Sequence, residues 1–187
     1  MVRRQVRAAE NHVATVLRGA QATPHDRVVL IGHSYGGNIA YNLSTDARPD
    51  LPGQQPADGL VTFDPIDWNL CQPRLVNICN QSNVIRPVPA GVSTENILNF
   101  VQRNPNEPLL PFPVLQPLHG FIVSGAMFDD RRARGPDGIL GTADDTTHEL
   151  IDEDASPGND GVVGTEDDAS LGIFPTILSF LRGLVAS

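Results

Sequence analysis

The 187-residue sequence contains no lysine, and its 13 basic residues are all arginine. That feature carries no functional assignment, but the scarcity of positive charge does. Formal net charge is −9 at pH 7, which argues against nucleic acid or an anionic membrane surface as the main partner. No apolar run reaches the ~18 residues that a bilayer span needs, so no transmembrane segment is expected. Cysteine is sparse: Cys71 and Cys79 stand eight residues apart. They could close a small loop or serve as reduced core residues. No secretory leader is visible, because Met1-Val2-Arg3-Arg4 runs directly into an amphipathic pattern.

The chain is long enough to bury a core as one domain, or one domain with an appendage. Its apolar fraction of 40% is that of an ordinary globular protein. The negative charge is local. Residues 129–168 hold 13 of the 22 acidic side chains and 3 of the 13 basic ones, so the rest of the chain is close to neutral. Residues 3–20 place Val6, Ala9, Val13, Val16, Leu17 and Ala20 at helical spacing, and Gly19 and Pro24 end that pattern.

The most informative stretch is Val28-Val29-Leu30-Ile31-Gly32-His33-Ser34-Tyr35-Gly36-Gly37. Four apolar residues enter Gly-x-Ser-x-Gly, and Ile39, Ala40 and Leu43 follow at helical spacing. This is the layout of a nucleophile elbow: a buried strand, a tight turn presenting one serine, and a helix starting beneath it. Gly32 and Gly36 are expected to remove side chains that would collide with strand and helix. The Tyr35 N–H, at the helix start, is placed to donate to an oxyanion. A glycine-rich turn carrying an ordinary serine is the plain alternative.

Further along, Gly59-Leu60-Val61-Thr62-Phe63 reads as a short buried strand ending in Asp64-Pro65-Ile66-Asp67. A carboxylate at a strand's C-terminal end lies on the sheet edge where the elbow serine lies. Leu75 to Gln81 reads as another strand. Residues 86–118 are dense in proline and asparagine and read as an irregular excursion. His119 follows within Pro117-Leu118-His119-Gly120-Phe121. Residues 171–184 return to helical spacing, with Pro175 suited to a first turn.

Gly32-His33-Ser34-Tyr35-Gly36-Gly37, with its flanking strand and helix, resembles the elbow of the α/β-hydrolase family, especially lipases and esterases. The resemblance covers roughly residues 5–123 and the last helix. It implies an α/β fold, three-layered around a mostly parallel sheet, and a partial one. Several strands and the loop that supplies a second oxyanion donor would lie upstream of residue 1, making this the C-terminal part of a longer protein. Such a protein would be extracellular if a signal precedes it. The expected division is a hydrolase core over 1–128, an acidic insertion over 129–170 and a core-packing helix over 171–187. The resemblance also implies hydrolysis of a small-molecule or lipid ester by a Ser-Asp-His triad, with no cofactor for catalysis.

Ser34 is then the nucleophile and Asp64 the triad acid, with Asp67 as the other candidate. His119 is the expected base, because it follows both in the chain. His12 falls on a helix, His25 and His33 precede or adjoin the serine, and His148 lies among carboxylates.

The acidic segment repeats itself. Gly135 to Asp145 and Gly158 to Asp168 share Gly-x-Asp-Gly-x-x-Gly-Thr-x-Asp-Asp at an offset of 23 residues, a self-similarity that marks a repeat. It is similar to the Asp/Gly-rich calcium-binding repeats of secreted bacterial proteins. That similarity implies Ca2+ held by Asp137, Asp144, Asp145, Asp160, Asp167 and Asp168, since Ca2+ takes 6–8 oxygens from flexible loops. A solvated acidic insertion is the alternative. Two functions follow: a serine esterase, or a non-catalytic, calcium-binding structural or adhesion module on a hydrolase scaffold.

Overall fold

The computed structural model describes residues 11–16, 19, 27–44, 56–67, 81–104, 119–128, 137, 139, 141–148, 150–151, 155–156 and 169–186. Cys71, Cys79, most of the strand expected over 75–81 and the whole second repeat lie outside them.

The apolar run before the elbow forms β1 (Val29–His33), and Gly59–Phe63 forms β2. β1 leads without a loop into α1 (Ser34–Leu43), whose length carries the chain back so that β2 pairs parallel to β1. After the short β3 (Ile85–Arg86) and a 3-10 turn (Thr94–Asn96) comes β4 (Ile97–Phe100), and then β5 (Ile122–Val123) and β6 (Met127–Phe128). Among the described residues the main sheet has four strands in the order β1-β2-β4-β6, all parallel. β3 and β5 form a separate parallel pair. β7 (Ala155–Ser156) and β8 (Ala169–Ser170) pair antiparallel ahead of α2 (Ile173–Ala186). The expected α/β class with a mostly parallel sheet is what the chain adopts.

Side-chain alternation along the strands builds two cores. Val61, Phe63, Leu98 and Phe100 face Ile173 and Ile177 of α2, together with Ile151. Leu60 and Ile97 face the other way, with Ala40 of α1, Phe121 and Val123. Leu43 meets Ala14 of the helical segment 11–16 on that same side of the sheet, where Leu30 packs. The central strands β2 and β4 are thus buried on both faces, which explains their mainly apolar sequences, whereas β1 is half-buried with Ile31 exposed. The polar pair inside it is satisfied: Asn99 Nδ2–H donates to Thr62 Oγ1 (2.8 Å), and Asn99 Oδ1 accepts from the Val123 N–H (2.8 Å). That second bond ties β5 to the sheet.

One expectation needs correction. Residues 86–118 read as irregular, yet β4, fully buried, lies inside them and joins β2 to β6. Four apolar-rich residues buried on both faces show no alternation, and the prolines around them dominate the local composition.

Candidate active site

The register His33↔Phe63 sets the site. The next residue on each strand is Ser34 and Asp64, so both leave the sheet at one rim, side by side. Both also adopt left-handed backbone, with φ of 55° and 41°, a conformation that costs a non-glycine residue of order 1–3 kcal/mol and is found concentrated at functional sites. For Ser34 the reason is local, since the strand turns into α1 with no residue to spare. A Cβ on Gly32 would fall on the Gly36 carbonyl group. A Cβ on Gly37 would come within 2.9 Å of the Gly32 oxygen and 3.0 Å of Pro65 Cβ. A Cβ on Gly36 would meet nothing within 4 Å. The steric need expected of Gly36 is therefore met by Gly37.

Asp64 is fully buried. Its Oδ1 accepts from the Gly120 N–H (2.7 Å) and the Gln102 N–H (3.4 Å), and its Oδ2 from Gln102 Nε2–H (3.2 Å). Arg103 Nη1 stands 3.9 Å from Oδ1. The guanidinium also donates to the carbonyls of Gln102 (2.6 Å) and Gly120 (3.2 Å), joining the two loops that surround the carboxylate.

The imidazole between Ser34 and Asp64 is that of His148, not His119. His148 Nδ1 lies 2.7 Å from Asp64 Oδ2, and His148 Nε2 lies 2.8 Å from Ser34 Oγ. An ionised carboxylate only accepts, so Nδ1 carries the hydrogen and Nε2 accepts from the serine hydroxyl. His119 is buried nearby and turned elsewhere: its Nδ1 donates to the Gln102 carbonyl (3.2 Å). Burial holds its pKa below the ordinary histidine value, against the pull of Asp64. Asp67, the other candidate acid, pairs with Arg86 and brackets Gln81 through its backbone. Arg86 in turn lies over the Phe121 ring, 4.5 Å from its centroid.

The acidic neighbours of His148 in the chain hide it as a candidate base in the sequence. Among the described residues, Asp137, Asp144 and Asp145 turn back on their own loop. Asp137 Oδ1 accepts from the Ile139 N–H (2.6 Å). Asp144 takes the Asp137 N–H (3.0 Å) and the Thr142 hydroxyl (2.6 Å), while Asp145 Oδ2 takes the N–H groups of Gly141 and Thr142. Burial raises the Asp144 pKa, but the Thr142 hydroxyl and the backbone N–H groups outweigh it and the net direction is down. For Asp145 burial prevails and the pKa is raised. Chain order admits His148 as well as His119, since both follow Ser34 and Asp64, and so does not choose between them.

Asp145 Oδ1 is a buried oxygen with no hydrogen-bond partner, which a cation would suit. Yet among the described residues no group of three or more His, Cys, Asp or Glu side chains is arranged to hold a metal ion. Asp137, Asp144 and Asp145 of the first repeat are the members of the expected Ca2+ set that fall among the described residues. Asp160, Asp167 and Asp168 lie outside the described residues.

A cleft of about 430 Å³ is lined by Ile31, Gly32, His33, Phe63, Phe174 and Ile177, of which His33 and Phe63 precede Ser34 and Asp64 in the chain. Apart from His33 its walls are apolar or glycine. A hydroxyl hydrogen-bonded to an imidazole, itself oriented by a buried carboxylate, has the parts of an activated nucleophile. No protein-family model, curated protein or solved structure matches the chain. Among the described residues no helix is long and apolar enough to cross a membrane.

Proposed function

We propose that the protein is a serine hydrolase of the α/β-hydrolase type that cleaves carboxylic esters through an acyl-enzyme. The observation that carries this reading is the chain Ser34 Oγ–His148–Asp64, with both bonds at 2.7–2.8 Å. His148 takes the Ser34 proton at Nε2 as Oγ attacks the acyl carbon, and Asp64 stabilises the imidazolium through Nδ1. The proton then passes to the leaving alcohol as the ester C–O bond breaks. In the second half His148 activates water, which releases the acid and restores the serine. The Tyr35 N–H, one residue beyond the nucleophile, supplies one oxyanion donor.

Hydrolysis of p-nitrophenyl butyrate and covalent labelling by a fluorophosphonate test the proposal. The wild type should turn over the ester and take the label at Ser34, and Ser34→Ala should do neither. Equal rates and equal labelling in the two proteins would refute it. So would a wild type inert to both reagents, and that result would favour the non-catalytic alternative.

A further inference from the structure

We propose that His33 is a positioning residue for the base, tying nucleophile and imidazole into one unit. The inference rests on the hydrolase reading for its consequence, but on separate geometry. His148 lies in residues 141–148, which contain neither helix nor strand. Both of its ring nitrogens are engaged with Ser34 and Asp64, so the ring cannot also anchor its own backbone. His33 Nε2 lies 2.5 Å from the His148 carbonyl oxygen. A carbonyl only accepts, so His33 Nε2 carries a hydrogen and donates it. The two rings also pack, with centroids 4.8 Å apart and planes inclined by 41°.

His33 is the last residue of β1, held by its ladder to β2, and one peptide bond separates it from Ser34. The donor that holds the base and the nucleophile that the base serves therefore move together. Asn104 adds a second hold on the same loop, its Nδ2–H donating to the Thr146 carbonyl (3.3 Å). This accounts for a histidine beside the serine, which the elbow's steric demands do not. The position needs a donor that reaches from a strand end to a main-chain oxygen. An aliphatic residue cannot donate, whereas glutamine carries an N–H at about the reach of Nε2.

The test uses the full chain with His33→Ala, His33→Gln and Ser34→Ala. Displacing a catalytic group by about 1 Å costs on the order of 10²-fold, so His33→Ala should lower kcat about 10- to 100-fold and move KM by less than about threefold. His33→Gln should recover most of that loss, which a purely packing role would not allow. A readout independent of turnover is the low-field proton resonance of His148 Nδ1–H, assigned by its loss in His148→Ala. It should be present in the wild type, broadened by solvent exchange in His33→Ala and restored in His33→Gln. The inference is overturned if His33→Ala keeps wild-type kcat and a sharp resonance while Ser34→Ala is inactive. Equal losses in both His33 variants, with lowered melting temperatures, would also overturn it. A wild type that neither turns over ester nor takes the fluorophosphonate defeats the hydrolase reading instead, and the resonance comparison still decides the tether.

Discussion

His119 and His148 are both buried beside Asp64, and their surroundings give them different work. His148 spans hydroxyl and carboxylate, whereas His119 spends its Nδ1–H on a main-chain carbonyl. His148→Ala is expected to lower kcat/KM by about 10²–10⁴-fold, the usual worth of a general base. His119→Asn, which keeps a donor near the Nδ1 position, should stay within about tenfold of wild type, because it removes no group in contact with the nucleophile. Steady-state kinetics on a chromogenic ester compares them. His119 should show instead in stability. Burial depresses its folded pKa, so the folded state binds fewer protons than the unfolded chain. Its contribution is complete above the unfolded value of about 6.5 and is lost as pH falls through the lower folded value. Thermal melts at pH 8 and pH 5 should therefore differ less in His119→Asn than in wild type. An unchanged difference would show that protonation of His119 is not what destabilises the acid form.

Among the elements, the strand-turn-helix of β1 and α1 makes the sharpest demand on residue type. Gly32 has backbone where a Cβ would sit, and backbone cannot swing aside as a side-chain end can. Gly32→Ala should cost at least the 1–3 kcal/mol typical of overpacking. Gly36 sits in the first turn of α1 with open space around it. Gly36→Ala should gain about 0.5–1 kcal/mol from the lower conformational entropy of alanine in the unfolded chain, with the label at Ser34 retained. Urea unfolding of the two variants gives the comparison, and a Gly36→Ala loss as large as that of Gly32→Ala would contradict it. The first acidic repeat acts at this scale too. Its aspartates cap their own turns, and His148 follows Asp145 by three residues. The Asp/Gly segment, expected as an insertion after His119, contains His148, whose imidazole lies at the sheet rim between Ser34 and Asp64.

At the level of the whole molecule, the site depends on the core beneath α2. Ile151, three residues beyond His148, is fully buried with Phe63, Phe100, Ile173 and Ile177. Phe63 immediately precedes Asp64, so one apolar cluster supports both Asp64 and the loop of His148. Ile151→Ala should cost about 2–5 kcal/mol as a buried large-to-small change. It should also lower kcat at temperatures where the protein remains folded, because the loop that bears His148 loses its anchor. Denaturant titration with activity measured in the folded baseline separates the two effects, and a stability loss with unchanged kcat would dissociate the loop from the site.

The elbow, the strand ending in Asp64, the helix over Ile173–Ala186 and the α/β class were all legible in the sequence, since each rests on local periodicity, chain direction or the steric demands of a tight turn. β4 was not, because a short strand buried on both faces has no periodicity to read and proline filled the surrounding composition. The choice between His119 and His148 was also undecidable from the chain alone. Both follow Ser34 and Asp64, and only the fold determines which loop reaches the rim. Among the described residues, Asp137 and Asp145 accept from N–H groups of their own loop, while the imidazole of His148 faces Asp64.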